Sequence, residues 1–219
     1  PDVVACAERF MLLGAHGITL HPRPDRRHAR YADAHELKAV CDRHGAELNI
    51  EGNPTRECLD VVLAVKPAQC TLVPDDPNQV TSDHGWDLDK NAAFLREVCV
   101  ELKAAGIRVS LFVDYDCPNI ALAKELGADR VELYTEPYAE TYGTPQNDAI
   151  LAQFGQAAMA AQAAGLGVNA GHDLNLDNLA KFIALPNILE VSIGHALIVE
   201  CLEQGMDATM RGYTEILNK

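Results

Sequence analysis

Short apolar runs alternate with longer amphipathic stretches along almost the whole chain. The short runs have the length of buried strands, and the longer ones repeat their apolar residues with the period of a helix. Repeated strand–helix units of this spacing build a parallel sheet that is buried on both faces. The strands are predicted at residues 17–21, 46–51, 69–73, 107–113, 129–134, 167–170 and 188–194.

Helices are predicted between these strands, and residues typical of helix caps occur at several of their ends. Thr55 is placed to cap one helix after Asn53-Pro54, and glycines such as Gly45 and Gly127 follow helical stretches. The predicted helices cover 33–44, 55–65, 89–106, 117–126, 145–164, 175–184 and about 195–205, with a further helix at each end of the chain.

The number of strands favours a closed barrel over an open sheet. Open doubly wound sheets carry a GxGxxG fingerprint after their first strand, and this chain has none. Eight strands close a (β/α)₈ TIM barrel, a fold of roughly 250 residues. The chain opens at Pro1, without a methionine and within helical periodicity. We therefore expect an α/β protein in which residues 1–219 form a single (β/α)₈ barrel domain that lacks its first strand.

Charge and cysteine usage restrict the partners and the compartment. The formal net charge of −14 argues against general affinity for nucleic acid or an anionic membrane. The seven cysteines include no CxxC pair, so a disulfide framework is not expected and reduced thiols in the cytoplasm fit better. No apolar run approaches the ~20 residues of a membrane span. These features predict a cytoplasmic protein with no nucleic-acid or membrane partner.

Titratable residues occur where several predicted strands end, which is the end of a barrel that carries the active site. His21, Glu51 and His172 each follow or close an apolar run. A single histidine at such a position is more often structural than catalytic, but the three together point to acid–base chemistry. A carboxylate and imidazoles with separated pKa values can move protons in both directions near neutral pH.

Two places are suited to binding phosphate. Gly194-His195 opens the helix that follows the last strand, so backbone N–H groups and the helix dipole face the site. The segment 23–30 holds four arginines, of which Arg23, two residues past a strand, is the best candidate for a bidentate phosphate contact. The other three arginines are equally well explained as a solvated loop.

Two reactions that are common among TIM-barrel enzymes are disfavoured, because the sequence lacks the residues that they require. A Schiff-base aldolase needs a lysine at a strand end, and every lysine here falls on a predicted helix or surface position. No HxH cluster suggests a metal site, so no metal is expected. The residues themselves leave three hypotheses open: a metal-free enzyme, a phosphosugar epimerase or metal-dependent aldolase, and a non-catalytic sensor of a phosphorylated ligand.

Several motifs resemble those of the pyridoxine 5′-phosphate synthase family, in the same order and over essentially the whole chain. They are GITLHPRPDRRH at 17–28, LNIEGNPT at 48–55, LVPDDPNQVTSDHGWDL at 72–88, VSLFVD at 109–114, GVNAGHDLN at 167–175 and SIGHALI at 192–198. The resemblance implies a cytoplasmic (β/α)₈ barrel with extra helices that assembles as a homo-octamer, a tetramer of dimers. It implies condensation of 1-deoxy-D-xylulose 5-phosphate with 3-amino-2-oxopropyl phosphate to pyridoxine 5′-phosphate, phosphate and water, without a cofactor.

The resemblance also implies roles for individual residues. His21 and Glu51 would be proton acceptors and His172 a proton donor. The deoxyxylulose phosphate would be held by Arg23, His28 and Thr81, and the amino-ketone phosphate by Asp173, Gly194 and His195. Asp173 departs from the family pattern, which usually has glycine after the histidine. Because the substrate amine can itself attack the partner's carbonyl, the reaction needs no enzyme lysine, in agreement with the lysine positions.

Overall fold

The computed structural model describes residues 2–27, 29–76 and 79–218. Within these residues seven parallel strands form one sheet in which each strand pairs with the next along the chain. The strands are β1 (Gly17–Leu20), β2 (Glu47–Gly52), β3 (Gln69–Leu72), β4 (Arg108–Val113), β5 (Arg130–Tyr134), β6 (Gly167–Gly171) and β7 (Ile188–Ser192). The sheet curls into a nearly closed barrel, and the hydroxyls of Thr19 on β1 and Ser192 on β7 lie 3.2 Å apart. The TIM-barrel prediction is confirmed.

Helices join the strands around the outside of the barrel. They are α1 (Val3–Leu12), α2 (Tyr31–His44), α3 (Arg56–Val65), α4 (Ala92–Ala104), α5 (Leu122–Leu126), α6 (Glu136–Thr141), α7 (Asn147–Ala163), α8 (Leu179–Phe182), α9 (His195–Gln204) and α10 (Met206–Leu217). In the described part of the chain, no helix is both long and apolar enough to cross a membrane.

The predicted strands are all present, and the helical predictions differ in three places. The helix predicted at 117–126 is reduced to α5, because turns occupy the residues around Pro118. The helix predicted at 175–184 is likewise reduced to α8. The short helix α6 was not predicted; it begins directly after β5 with Pro137 in its first turn, where a missing N–H costs nothing.

The predicted helix ends are confirmed at several positions. The Thr55 side chain accepts a hydrogen bond from the backbone N–H of Cys58 at 3.3 Å and so caps α3. Gly45 ends α2 in the left-handed conformation, which glycine adopts at little cost. Gly45 leads from α2 into β2, and Thr55, the N-cap residue of α3, lies three residues after β2 ends.

The two faces of the strands differ in polarity. Alternate residues point outward and pack against the helices in one apolar cluster that includes Leu48, Ile50, Cys70, Leu72, Val109, Leu111, Val131, Leu133, Val168 and Ala170. The residues between them point into the barrel, where Gln69 Nε2 on β3 lies 3.2 Å from Glu190 Oε1 on β7. In the same interior, Thr71 Oγ1 lies 3.4 Å from Glu132 Oε2. The outer face therefore stabilises the fold, and the inner face carries the polar groups.

Candidate active site

His21 and Glu51, both predicted from the sequence, lie together at the C-terminal end of the barrel. His21 directly follows β1 and Glu51 is the fifth residue of β2, and His21 Nδ1 lies 3.7 Å from Glu51 Oε2. Burial raises the pKa of Glu51 to about 7, with further contributions from the negative charges of Glu190 and Asp75. Near neutral pH this carboxyl group is therefore present in both its protonated and its ionised form.

The other ring nitrogen of His21 faces a carboxylate that sequence reasoning missed. Asp75, in the segment after β3, places Oδ2 at 3.6 Å from His21 Nε2. The same oxygen lies 2.6 Å from Arg23 Nη1 and accepts a hydrogen bond from Ser82 Oγ at 2.8 Å. The Asp75 backbone carbonyl accepts a hydrogen bond from the Asn53 side chain. His21 thus lies between two buried carboxyl groups, with a buried arginine beside one of them.

His172 follows β6 and packs against two aromatic rings of the barrel interior. Its ring centroid lies 5.0 Å from that of Phe112 and 5.4 Å from that of Tyr134. This burial lowers the pKa of His172, so the imidazole is neutral at neutral pH. The residue has a φ of +82°, an uncommon conformation for a non-glycine residue that is often associated with functional sites. Thr135 Oγ1 fixes this backbone by donating to the carbonyls of Gly171 and His172.

Glu132 on β5 is a further buried carboxyl group that is not among the site residues predicted from the sequence. Burial raises its pKa well above the usual range, and the charges of Glu51 and Glu190 raise it further. Thr71 donates to Oε2, whereas Oε1 has no hydrogen-bond partner in the part of the chain that the structure describes. A Cβ at Gly171 would collide with Oε1, which explains why the segment before His172 ends in glycine. In the sequence, the one sign of this buried acid is a single glutamate within the otherwise apolar run at 131–134.

Two of the three residues predicted to hold deoxyxylulose phosphate, Arg23 and Thr81, lie in the loops that follow β1 and β3. Arg23 is buried and, besides Asp75, lies 3.3 Å from Ser82 Oγ. Thr81 is exposed on the loop after β3, and Arg27 binds the carbonyls of Gln79 and Val80 in that loop. The prediction for His28 lies outside the described residues. The structure thus brings Arg23 to Asp75, the carboxylate that also faces His21, and the role of Thr81 stays a prediction.

The second predicted phosphate site lies at the beginning of α9. Gly194 is the N-cap residue and His195 is the first helical residue, as the sequence indicated. Asp173 Oδ1 lies 3.3 Å from His195 Nε2, so the carboxylate of this unusual residue faces a potential cation. Asp173 has a φ of +59°, which glycine would adopt without strain. Among residues 2–27, 29–76 and 79–218, no group of three or more His, Cys, Asp or Glu side chains is arranged to hold a metal ion.

Two solved structures share the fold at low sequence identity. Thiamine phosphate pyrophosphorylase from Pyrococcus furiosus is 15% identical with a TM-score of 0.64, covering 99% of this chain and 90% of its own. Phosphoribosylanthranilate isomerase from Thermotoga maritima is 13% identical with a TM-score of 0.61, covering 97% and 92%. At this identity the similarity establishes the barrel fold alone.

Sequence relatives are much closer. Pyridoxine 5′-phosphate synthase of Xanthomonas axonopodis pv. citri (strain 306) is 52% identical over 99% of this chain and 88% of the relative. The enzyme of the same name from Xylella fastidiosa (strain M23) is 49% identical over 100% of this chain and 87% of the relative. The family model described as pyridoxal phosphate biosynthesis protein PdxJ matches residues 1–219. The chain therefore belongs to the PdxJ family of pyridoxal phosphate biosynthesis proteins.

Proposed function

We propose that this chain is a pyridoxine 5′-phosphate synthase, which condenses 1-deoxy-D-xylulose 5-phosphate with 3-amino-2-oxopropyl phosphate. The products are pyridoxine 5′-phosphate, phosphate and water. Family membership and the names of relatives about 50% identical support the activity. The observation that best supports acid–base chemistry is a pair of opposite pKa shifts at the barrel mouth. The pKa of Glu51 is raised to about 7, and the pKa of His172 is lowered.

These shifts suit a condensation that moves protons repeatedly. Attack of the substrate amine on the partner's carbonyl requires removal of a proton from nitrogen, and each loss of water requires a proton on the departing oxygen. We assign the acceptor roles to His21 and Glu51, whose side chains face each other at 3.7 Å. We assign the donor role to His172, because a neutral imidazole carries one N–H group.

Glu132 contributes through its charge state. Burial raises its pKa well above the usual range, which favours the protonated form, and a protonated carboxyl group can donate a hydrogen bond. Ionisation of either Glu51 or Glu132 opposes ionisation of the other, so the pair holds one negative charge more readily than two. This arrangement keeps one proton inside the barrel, beside the place where the ring is formed.

Two phosphate groups require two anion sites, and the candidates lie on different elements. We propose that Arg23, His28 and Thr81 hold the deoxyxylulose phosphate. The amino-ketone phosphate is assigned to the beginning of α9, where Gly194 and His195 offer backbone N–H groups beside Asp173. Two separate phosphate sites would hold the carbon skeletons of both substrates next to each other and next to the acid–base groups. A bimolecular reaction then becomes effectively unimolecular.

We further propose a cytoplasmic homo-octamer built from dimers, without a cofactor. Apolar side chains are exposed on α9 at Ile198, Val199 and Leu202, and they support an association surface. The cysteines are all unpaired, which fits a reducing compartment. The native mass of the purified protein tests the assembly.

Turnover with both phosphorylated substrates tests the activity directly. We expect pyridoxine 5′-phosphate, followed by its absorbance, and phosphate released in equal amount, with neither formed when one substrate is omitted. The same rate is expected after treatment with a chelator. Folded protein that forms no product would contradict the synthase, whereas activity that is lost on chelation and restored by a divalent cation would favour a metal-dependent enzyme.

A further inference from the structure

Asp75 is a buried carboxylate at the barrel mouth that contacts several side chains; it lies within the motif at 72–88, but the assigned roles do not include it. It is 5% exposed, and its Oδ2 atom meets groups from two separate segments of the chain. Arg23 Nη1 lies 2.6 Å away, Ser82 Oγ donates at 2.8 Å, and His21 Nε2 lies 3.6 Å away. The other oxygen, Oδ1, is buried and has no hydrogen-bond partner within the described residues.

The backbone around Asp75 fixes the position of this carboxylate. The Asn53 side chain, just after β2, donates to the Asp75 carbonyl. Ser82, seven residues further along the chain, is itself buried and donates to the carboxylate. A buried ion pair held from both sides in this way constrains the orientation of both partners.

We propose that Asp75 is a positioning residue that orients the His21 ring and holds the Arg23 guanidinium for the proposed reaction. A carboxylate next to Nε2 favours the tautomer that carries its proton on that atom. The neutral ring then presents Nδ1 as the acceptor, and Nδ1 is the atom that faces Glu51 at 3.7 Å. Asp75 thereby selects which nitrogen of His21 takes a proton.

The same contact links phosphate binding to His21. Arg23 Nη1 lies 2.6 Å from Asp75 Oδ2, so a phosphate group that binds Arg23 competes with Asp75 for the guanidinium. As Arg23 turns to the phosphate, Oδ2 becomes free to close the 3.6 Å gap to His21 Nε2. The tautomer that Asp75 already favours is then held more firmly when the phosphosugar is present.

The tautomer of His21 tests this inference without any turnover. In the full-length protein labelled with ¹⁵N-histidine, the His21 signals are assigned by their loss in His21→Asn. We expect the Nε2–H tautomer to predominate in the wild type and to lose that predominance in Asp75→Asn. A wild-type ring protonated mainly on Nδ1 would overturn the proposal, even if the protein proves to be an active synthase.

Steady-state kinetics provide the second test, which rests on the proposed function. Asp75→Asn is expected to lower kcat by about 10- to 100-fold, because an orienting carboxylate is lost while the base remains. The KM for the phosphosugar is expected not to rise, since a negative charge beside Arg23 has been removed. Asp83→Asn is the matched control: Asp83 lies in the same loop, is exposed, and contacts His84 and Gln79.

The variants separate positioning from folding. If Asp75→Asn does not fold, Ser82→Ala removes one donor to Oδ2 and keeps the charge; it is then expected to lower kcat by about two- to fivefold. A kcat for Asp75→Asn within twofold of the wild type would overturn the proposal. A rise in the KM values of both substrates together with a lower melting temperature would do so as well, because it indicates a purely structural role.

Discussion

Ile50 and Glu51 are neighbours in β2 and serve the molecule in opposite ways. Ile50 points outward into the apolar cluster between the sheet and the helices, and it is completely buried. Glu51 points into the barrel beside His21, and its burial raises its pKa to about 7. The same contrast holds along β4 and β5, where Leu111 and Leu133 pack outward and Glu132 lies inside.

The contrast shows that burial has different consequences on the two faces. Removing an apolar side chain of this size from water stabilises a protein by about 1.5–3 kcal/mol. Burying a carboxyl group without full compensation costs free energy, and the group responds by holding its proton. The outer face therefore stabilises the fold, and part of that stability offsets the cost of burying Glu51 and Glu132 on the inner face. A variant on one face should change stability, and a variant on the other should change turnover.

The largest expected effect is on the inner face, at His172. Replacement by Gln keeps a polar side chain between Phe112 and Tyr134 but removes the titratable ring. We expect kcat to fall by about 10²- to 10⁴-fold, the usual contribution of an acid–base group, with a melting temperature close to that of the wild type. A kcat that stays within threefold would remove His172 from the mechanism.

On the outer face, Leu111→Ala should act on stability. Leu111 is fully buried, so its truncation is expected to lower the free energy of unfolding in urea by about 2–5 kcal/mol. The kcat per folded molecule should remain that of the wild type. Leu189→Ala is the matched control, because Leu189 is 58% exposed and its truncation should cost no more than about 0.5 kcal/mol. Equal losses in the two variants would contradict the assignment of the outer core.

A smaller effect is expected in the dependence of stability on pH. The pKa of Glu51 is raised in the folded state, so its contribution is fully present below the ordinary value of 4.5 and is lost as the pH rises through about 7. The free energy of unfolding of the wild type minus that of Glu51→Gln should therefore fall by about 3 kcal/mol between pH 4.5 and 7.5. Urea titrations of both proteins at several pH values measure this difference, which a solvent-exposed Glu51 would leave constant.

The sequence was most informative about the outer face. Apolar residues such as Leu48, Ile50 and Leu111 create the pattern from which the strands were predicted, and each predicted strand is present within two residues at either end. The meeting of His21 and Glu51 could also be predicted, because the ends of paired parallel strands lie side by side in any barrel.

The inner residues that were missed give a weaker signal. Glu132 lies in the middle of an apolar run, whereas the pattern that indicates a catalytic group in a barrel is a titratable residue at a strand end. Asp75 lies in the Pro- and Asp-rich segment after β3, which is typical of an ordinary solvated turn. Its contact with Arg23 depends on how the two loops fold over the barrel mouth, and spacing along the chain carries no information about that. Residues whose role depends on a contact between loops are visible only in three dimensions.

The most direct test compares Ile50→Ala with Glu51→Gln by measuring kcat and the free energy of unfolding of both proteins under the same conditions. The two substitutions are one residue apart on the same strand and face opposite sides of it. We predict that Ile50→Ala loses about 2–5 kcal/mol of stability and keeps its kcat per folded molecule. We predict that Glu51→Gln keeps its stability at pH 4.5 to 5 and loses about 10²- to 10⁴-fold in kcat. Loss of kcat to the same degree in both variants, or an unchanged kcat in Glu51→Gln, would contradict the division between a stabilising outer face and a catalytic inner face.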